Sequence, residues 1–320
     1  MKIHFLLFFS FILSVIGCHT NNVSVDTSLV DTTSLWVGPS MYQIPKEDGI
    51  HGAAIWYGYQ LVKNTSQYFG PNGSIAKTTN GMSCSNCHLD AGTKPLGLNF
   101  GSVYSTYPKF RERSGAIETI YKRVNDCFER SLNGKALDTN SKEMRSIYAY
   151  IQWLGEGVKK GVKVKGSGYE NLTFMTEASD PIKGNEIYNI KCASCHQLNG
   201  QGVLDANKIN YVYPPLWGDH SYNDGAGLHQ NSKLAGFIKN NMPQPTDHRH
   251  PILNNEEAWH LAAFINNQPR PHKDVSEDWP NLSKKPFDYP VGPYIDSFSE
   301  HQHQFGPYQP IVDFYKRSFK

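Results

Sequence analysis

The sequence predicts an all-α fold made of two small helical domains in tandem. The chain has 320 residues, which is enough for two modest domains after an N-terminal apolar segment is removed. The pattern Cys-x-x-Cys-His occurs twice, about a hundred residues apart, beginning at Cys84 and at Cys192. Apolar residues recur with helical spacing before each copy. A helix followed by the same pentapeptide, repeated once, indicates two domains of one kind.

The N-terminus predicts export and a lipid anchor. Lys2 precedes an apolar run, Phe5 to Ile16, that is too short to span a membrane, so residues 1–17 are predicted to be a signal peptide. The run leads to Gly17-Cys18, which resembles a bacterial lipobox, and we expect Cys18 to be lipidated on the periplasmic side of a bacterial membrane. The alternative is an ordinary signal peptide with an incidental cysteine. Residues 18–45 are rich in Ser, Thr, Val and Asn and predict a flexible tether.

The charge composition of the chain argues against nucleic acid as a partner. Lys and Arg number 31 against 29 Asp and Glu, so the chain lacks the excess positive charge that favours nucleic acid. No later apolar run is long enough to cross a membrane. We expect the body of the protein to be soluble and to touch the membrane only through its anchor.

The two pentapeptides are typical of covalent c-type haem attachment, in which both cysteines bind the porphyrin and the histidine binds the iron. One copy alone is also consistent with a thiol-disulfide redox pair that happens to precede a histidine, but two copies in one exported chain favour haem. We therefore predict two covalently bound haem c groups, one in each domain. Their attachment residues are Cys84, Cys87 and His88 in the first domain and Cys192, Cys195 and His196 in the second.

The order of elements in the second domain, residues 180–270, resembles a class I cytochrome c domain. Asp180-Pro181 predicts the start of a helix that leads to the pentapeptide. A Pro-rich loop, a helix near Lys233 to Asn240 and an amphipathic helix over Glu256 to Asn267 follow. Residues 46–158 are predicted to be a cytochrome c domain of the same kind, since a periodic segment from Ala53 to Val62 precedes its pentapeptide.

Met242 is the predicted second iron ligand of the C-terminal haem. It is the only methionine after His196, and it follows a predicted helix at a turn, where cytochromes c present a methionine sulfur. Histidines are the competing ligands. They lie at positions 220, 229, 248, 250 and 260.

The first domain offers no histidine as a second ligand, because none lies between His88 and Cys192. Its sulfur donors are Met82, Met144 and Cys127. Met82 is too close to the attachment motif to reach the other face of the haem easily, and Met144 falls on an apolar helix stripe. Cys127 is therefore the predicted ligand. The alternative is a buried, inert thiol, although an unpaired cysteine is unusual in an exported protein.

The segment around Cys127 predicts an anion-binding helix. Ser114 is a plausible N-cap and Gly134 a plausible stop, and the spacing places Arg123, Cys127 and Ser131 on one side. The guanidinium group of arginine binds sulfonate oxygens through paired hydrogen bonds, while a thiolate can react with a sulfur atom. Further positive charge lies nearby in Arg111 and Arg113, whereas Arg130 is predicted to be a solvated arginine paired with Glu129 or Glu118.

Two stretches, Tyr107 to Gly115 and Arg123 to Gly134, resemble the dihaem thiosulfate dehydrogenases, which interconvert thiosulfate and tetrathionate. The resemblance implies that Cys127 is the distal ligand of a catalytic haem and carries the substrate sulfur. It also implies that Arg113, Arg123, Ser131 and Gln152 line the substrate pocket. Two haems match the two electrons of one S–S bond. The second haem would exchange electrons with an external electron-transfer protein, such as a c-type cytochrome.

Two other functions remain open from the sequence. One is a dihaem electron carrier without catalysis, in which Cys127 only tunes a potential. The other is a thiosulfate-binding subunit similar to the Sox cytochromes. Some members of the resembled family place a lysine before the methionine ligand, whereas this chain has Asn241, so a stable His/Met second haem is expected.

Two segments carry no predicted catalytic role. Residues 159–179, with several lysines and glycines, predict an exposed linker between the domains. Residues 271–320 are rich in proline and aromatic residues and predict an irregular tail that wraps the domains.

Overall fold

The computed structural model describes Met1 and residues 34–319. The predicted signal peptide, Cys18 and the tether as far as residue 33 lie outside this range, so their predictions stay as stated. Within the described range, no helix is both long and apolar enough to cross a membrane.

The N-terminal domain is built on two helices that cross at close range. Gly58 of α1 lies against α6, and a Cβ at this position would be 1.9 Å from the carbonyl oxygen of Ser146. Only glycine therefore fits this crossing. The elements are α1 (Gly49–Lys63), α2 (Thr65–Phe69), α3 (Leu89–Gly92), α4 (Val103–Thr106), β1 (Lys109–Arg111), β2 (Ala116–Glu118), α5 (Ile120–Asp126), a π-helical turn (Cys127–Ser131) and α6 (Lys142–Leu154).

The C-terminal domain repeats the same crossing. Gly184 of α7 lies against α10, where a Cβ would be 2.0 Å from the carbonyl oxygen of His260. As predicted, Asp180 caps α7 by accepting the Ile182 N–H at 2.7 Å, and Pro181 is the first helical residue. The elements are α7 (Pro181–Lys191), α8 (Ala193–His196), β3 (Val203–Leu204), β4 (Tyr211–Tyr213), α9 (Asn231–Asn241) and α10 (Asn255–Asn266).

Helices dominate both domains, but the chain is not purely α-helical. Strands β1 and β2 form an antiparallel pair in which Lys109 lies opposite Glu118. Strands β3 and β4 form a second antiparallel pair with an irregular register. The sheets are short loop features at the edges of the helical domains, so the predicted all-α class holds for the framework only.

The helix that carries Cys127 is shorter than predicted. Ser114 is not its N-cap, because its hydroxyl donates to the Glu118 carboxylate at 2.8 Å across the β1–β2 hairpin. Thr119 caps the helix instead, accepting the Lys122 N–H at 3.3 Å. From Cys127 onwards the helix widens into a π-helical turn. Such turns are rare and are often found at functional sites.

The segments outside the two domains are more ordered than predicted. Trp36, in the second half of the predicted tether, is 4 % exposed, and its N–H donates to the Lys165 carbonyl at 3.0 Å. The linker is therefore in contact with the N-terminal segment, although the Lys165 side chain is exposed as expected. The tail is not wholly irregular, because it forms α11 (Glu300–Phe305) and α12 (Gln309–Ser318).

Candidate functional site

The first pentapeptide opens onto an apolar cavity of about 200 Å³ in the N-terminal domain. His88 lines it together with Cys84, Cys87 and Cys127. The Nδ1–H of His88 donates to the Leu98 carbonyl at 2.5 Å, which leaves Nε2 available to a metal. Burial lowers the pKa of His88 to about 4, so the imidazole is neutral, as a ligand must be.

The second pentapeptide lines a cavity of about 280 Å³ in the C-terminal domain. The Nδ1–H of His196 donates to the Pro214 carbonyl at 2.8 Å, the same arrangement as in the first domain. Met242 lines this cavity, whereas none of the five competing histidines does. His229 and His260 make hydrogen bonds elsewhere in the fold. Met242 therefore remains the predicted ligand.

The other sulfur atoms of the first domain fall into two groups. Met144 is fully buried and lines neither haem cavity, which agrees with its predicted role in the core. Met82 is also buried, but it lines both cavities, and so does Cys87. The two cavities therefore adjoin.

Both cavities fit a covalently bound haem. The four pentapeptide cysteines are free thiols, so none forms the disulfide of a redox pair. Each pair lies beside a neutral histidine whose Nδ1 donates to a backbone carbonyl, and the first cavity is mostly apolar in its lining. A flat apolar macrocycle with an iron centre meets these requirements.

Cys127 lies where the first cavity meets a third cavity of about 310 Å³. The Arg123 Nη1 donates to the Cys127 Sγ at 3.2 Å, as their helical spacing predicts. The neighbouring Cys127 sulfur raises the pKa of Arg123 above its ordinary value, so the guanidinium stays charged. Six residues line both cavities: Cys87, His88, Leu98, Arg123, Cys127 and Ser131.

The third cavity, called here the cationic cavity, concentrates positive charge. Within residues 34–319, five cationic side chains line it, and the one acidic lining residue, Asp126, pairs with Lys122 outside the cavity. This arrangement makes a site for a small anion. The cations are Arg111, Arg113, Arg123, Arg130 and Lys233.

The C-terminal tail fixes one side of the cationic cavity. Asp278 accepts two hydrogen bonds from Arg130, both at 2.8 Å, and lies 3.8 Å from Arg113. Its neighbour Trp279 donates its backbone N–H to the Arg113 carbonyl at 2.8 Å. The prediction that Arg130 is a solvated arginine paired with Glu129 or Glu118 is therefore wrong, because its side chain is 13 % exposed and its partner is Asp278.

Substitution Asp278→Asn is expected to weaken both the fold and anion binding. Removing one partner of a buried ion pair costs about 3–5 kcal/mol, because the remaining charge is left uncompensated. We expect a lower melting temperature and a KM for the anionic substrate that rises as Arg113 and Arg130 lose their alignment. Glu277→Gln, which removes an exposed neighbouring carboxylate, is the control. Equal melting temperatures and KM values for the two variants would contradict this role.

Sequence reasoning missed two residues of the cationic cavity, and one residue that it did name stays a prediction. Gln152, implied by the family resemblance, does not line the first or the cationic cavity, and its Nε2 donates to the Tyr104 hydroxyl at 3.4 Å. Lys233 and Tyr169 line the cationic cavity but lie far from Cys127 in sequence. Their distance from Cys127 along the sequence gives no indication that they line the same cavity. The sequence predicts that Lys233 lies on a helix, but it indicates no role for the lysine in the site.

Comparisons with known proteins agree with this architecture. The family model "SoxA/TsdA, cytochrome c domain" matches residues 74–159, and the model "Cytochrome c" matches residues 182–269. The second range lies within the predicted domain 180–270, and the first ends one residue beyond the predicted domain 46–158. Two cytochrome c domains carry two covalently bound haem c groups, as predicted.

Relatives of known activity match most of the chain. A thiosulfate dehydrogenase of Psychrobacter arcticus is 35% identical over 266 residues, which is 82% of this chain and 77% of that protein. A thiosulfate dehydrogenase of Allochromatium vinosum is 40% identical over 196 residues, 60% of this chain and 71% of the relative. A solved thiosulfate dehydrogenase (TsdBA) of Marichromatium purpuratum has a TM-score of 0.69 and 31% identity, covering 75% of this chain. This chain spans half of that longer one. By its sequence and its fold, the chain belongs to the family of dihaem thiosulfate dehydrogenases.

Proposed function

We propose that this protein is a dihaem cytochrome c oxidoreductase that interconverts thiosulfate and tetrathionate. The observation that supports this most is the juxtaposition at Cys127. A sulfur nucleophile, held by Arg123 at 3.2 Å, faces a cavity lined by five cations and also lines a haem cavity. A small sulfur dianion matches both the charge and the chemistry of this place.

The overall reaction balances without a proton. Two thiosulfate dianions become one tetrathionate dianion and two electrons, and one S–S bond forms. The site therefore needs no general acid or base, which is consistent with a cavity lined by arginines and one lysine. Each haem, when bound, accepts or supplies one of the two electrons.

We propose that Cys127, together with His88, would hold the iron of the first haem, and that Cys127 also carries a substrate fragment. In the reductive direction, its thiolate attacks one of the two central sulfurs of tetrathionate, the central S–S bond breaks, and one thiosulfate leaves. Cys127 then holds the other half as a thiosulfonate. Two electrons cleave that S–S bond and release the second thiosulfate. The oxidative direction follows the same steps in reverse.

The remaining side chains bind and orient the anion. Arg123 stabilises the Cys127 thiolate and offers its other N–H groups to sulfonate oxygens. Arg113 commits one nitrogen to the Gly225 carbonyl at 2.8 Å, and its fixed guanidinium charge lines the cavity. The Ser131 hydroxyl lies at the junction of both cavities and supplies a neutral donor.

The second haem, with His196 and Met242 as its proposed ligands, passes electrons to or from an external electron-transfer protein. A methionine ligand raises the reduction potential of a haem relative to a second histidine. We expect Met242→His to lower the potential of the second haem and to leave that of the first haem unchanged. Redox titration monitored by absorption measures both. Met175→Leu, in the same core but outside the haem cavity, is the control. An unchanged second potential in Met242→His would rule out this ligand.

We also propose a location for the protein. Cytochromes c of this kind are typically periplasmic. We propose that residues 1–17 direct export and that lipidated Cys18 anchors the protein to a membrane surface. The catalytic domain would span 46–158 and the electron-transfer domain 180–270.

The test of the proposed function uses the purified, oxidised holoprotein without oxygen. Thiosulfate is expected to reduce the haems, and tetrathionate is expected to appear in proportion to the electrons transferred. With an electron acceptor present, turnover should continue. Absence of haem reduction by thiosulfate, together with absence of reoxidation by tetrathionate, would rule the proposal out in favour of an electron carrier.

A further inference from the structure

Lys233 is the one cation of the cationic cavity that comes from the C-terminal domain. The four arginines lie between residues 111 and 130, whereas Lys233 projects from the first turns of α9. The cavity is therefore closed by both domains. A ligand inside it can contact Arg123 from the N-terminal domain and Lys233 from the C-terminal domain.

Lys233 is held by side chains that are themselves buried. Its ammonium donates to the Gln230 side-chain oxygen. The Gln230 amide in turn donates to the Asp288 carboxylate at 2.9 Å, and both residues are almost fully buried. Asp288 also accepts the backbone N–H of Ser232 at 2.9 Å. The lysine is thus fixed in place by the tail, and two of its three N–H donors remain for a ligand.

Lys233 also differs from the arginines in how its charge is balanced. Arg130 and Arg113 share Asp278, and Arg111 lies 3.9 Å from Glu118. Within residues 34–319, Lys233 has a neutral amide as its hydrogen-bond partner and forms no ion pair with a carboxylate. Its charge is therefore available to an incoming anion, as is that of Arg123, whose hydrogen bond goes to Cys127.

We propose that Lys233 determines specificity by binding the sulfonate of the departing or incoming second thiosulfate, opposite the half that Arg123 and Cys127 hold. This inference rests on the proposed function, and it divides the cavity into two anion subsites. Tetrathionate carries a sulfonate at each end and occupies both. In the oxidative direction, Lys233 holds the second thiosulfate while the terminal sulfur of that thiosulfate attacks the fragment at the sulfur bound to Cys127. The new S–S bond forms as the bond from the fragment to the Cys127 Sγ breaks, and Cys127 leaves as a thiolate. The products are tetrathionate and the free thiolate, so charge and atoms balance.

The proposal is tested by equilibrium binding of tetrathionate to the holoprotein in a Cys127→Gly background, where no covalent fragment can form. Isothermal calorimetry gives the Kd. Loss of a charge-assisted hydrogen bond weakens binding by about tenfold to a hundredfold. We expect Lys233→Gln to raise the Kd by this factor, and Lys233→Arg to restore most of the affinity. Lys183→Gln, an exposed lysine of α7, is the control and should bind as the parent does.

The pH profile provides a second readout that a structural role would not produce. Burial and the neighbouring arginines lower the pKa of Lys233 to about 8. Its charge is present below that pH and lost above it, so the Kd for tetrathionate should rise above about pH 8 in the parent and stay flat in Lys233→Arg. Among the other titratable groups that line the cavity, burial lowers the pKa of His88 to about 4 and raises the pKa of Tyr169, so neither titrates near pH 8. The charged groups that line the cavity or act on Lys233 are Arg111, Arg113, Arg123, Arg130, Asp126 and Asp288.

The outcomes separate this inference from the proposed function. Unchanged affinity and an unchanged pH profile in Lys233→Gln would overturn the role of Lys233, even if the wild-type protein interconverts thiosulfate and tetrathionate. Conversely, a wild-type protein without turnover would overturn the proposed function. A higher Kd for tetrathionate in Lys233→Gln would then still support an anion subsite at Lys233. Haem absorption spectra and melting temperatures must match among the variants, so that misfolding is not mistaken for weak binding.

Discussion

Replacement of Cys127 with glycine is expected to reduce turnover by at least about a thousandfold while both haems remain bound. Loss of a nucleophile typically has an effect of this size or larger. The haems are retained because their covalent attachment depends on the two pentapeptides and not on Cys127. Steady-state rates in both directions, together with the haem content of the purified variant, measure the effect.

A second substitution separates the two roles proposed for Cys127. Cys127→Met keeps a sulfur that can bind iron, but a thioether cannot carry a substrate fragment. We expect a six-coordinate first haem with a higher potential and no turnover. A glycine variant that turns over normally with only a shifted haem potential would instead support the simple electron carrier.

Replacement of Arg123 with methionine is expected to lower kcat by roughly a hundredfold to a thousandfold, which is the usual cost of removing one preorganised donor. The variant loses the only hydrogen bond to the Cys127 sulfur within residues 34–319. It also loses the positive charge next to the Cys127 sulfur. Arg123→Lys should recover part of the rate, because it keeps the charge but not the planar fork. Rates under saturating substrate measure this effect.

Arg145→Met is the control for this comparison. Arg145 is an exposed arginine of α6 in the same domain, and it lines none of the three cavities. Arg145→Met removes one positive charge, as Arg123→Met does, and should leave kcat unchanged. If Arg123→Met retained kcat within about threefold of this control, Arg123 would have no part in the chemistry.

The parts of the site that were predictable from sequence are those that depend on local spacing. His88 and His196 belong to the pentapeptides, and Met242 follows α9 within one turn. Arg123 and Cys127 lie one helical turn apart, and their side chains meet as that spacing requires. In each case the backbone between the residues is short enough to fix their relation before any tertiary contact is known.

The parts that were missed depend on contacts between distant segments. Lys233 reaches the cationic cavity only because the two domains pack together, and Asp278 reaches Arg130 only because the tail folds back. The tail has many prolines and little periodicity, so its sequence gives no sign of these contacts. The prediction that Ser114 caps a helix was wrong for a related reason. Its hydroxyl donates to Glu118 across a short hairpin, and the residue type alone, although favourable at a helix N-cap, does not indicate that hairpin.

Rapid mixing tests most directly whether Cys127 and the two haems together cleave one S–S bond with two electrons. Fully reduced wild-type protein is mixed with one equivalent of tetrathionate without oxygen, and haem oxidation and thiosulfate release are followed together. We predict that both haems become oxidised and that two thiosulfates appear per tetrathionate, with no reaction in Cys127→Gly. Haems that stay reduced in the wild type, or reoxidation at the wild-type rate in Cys127→Gly, would contradict the claim.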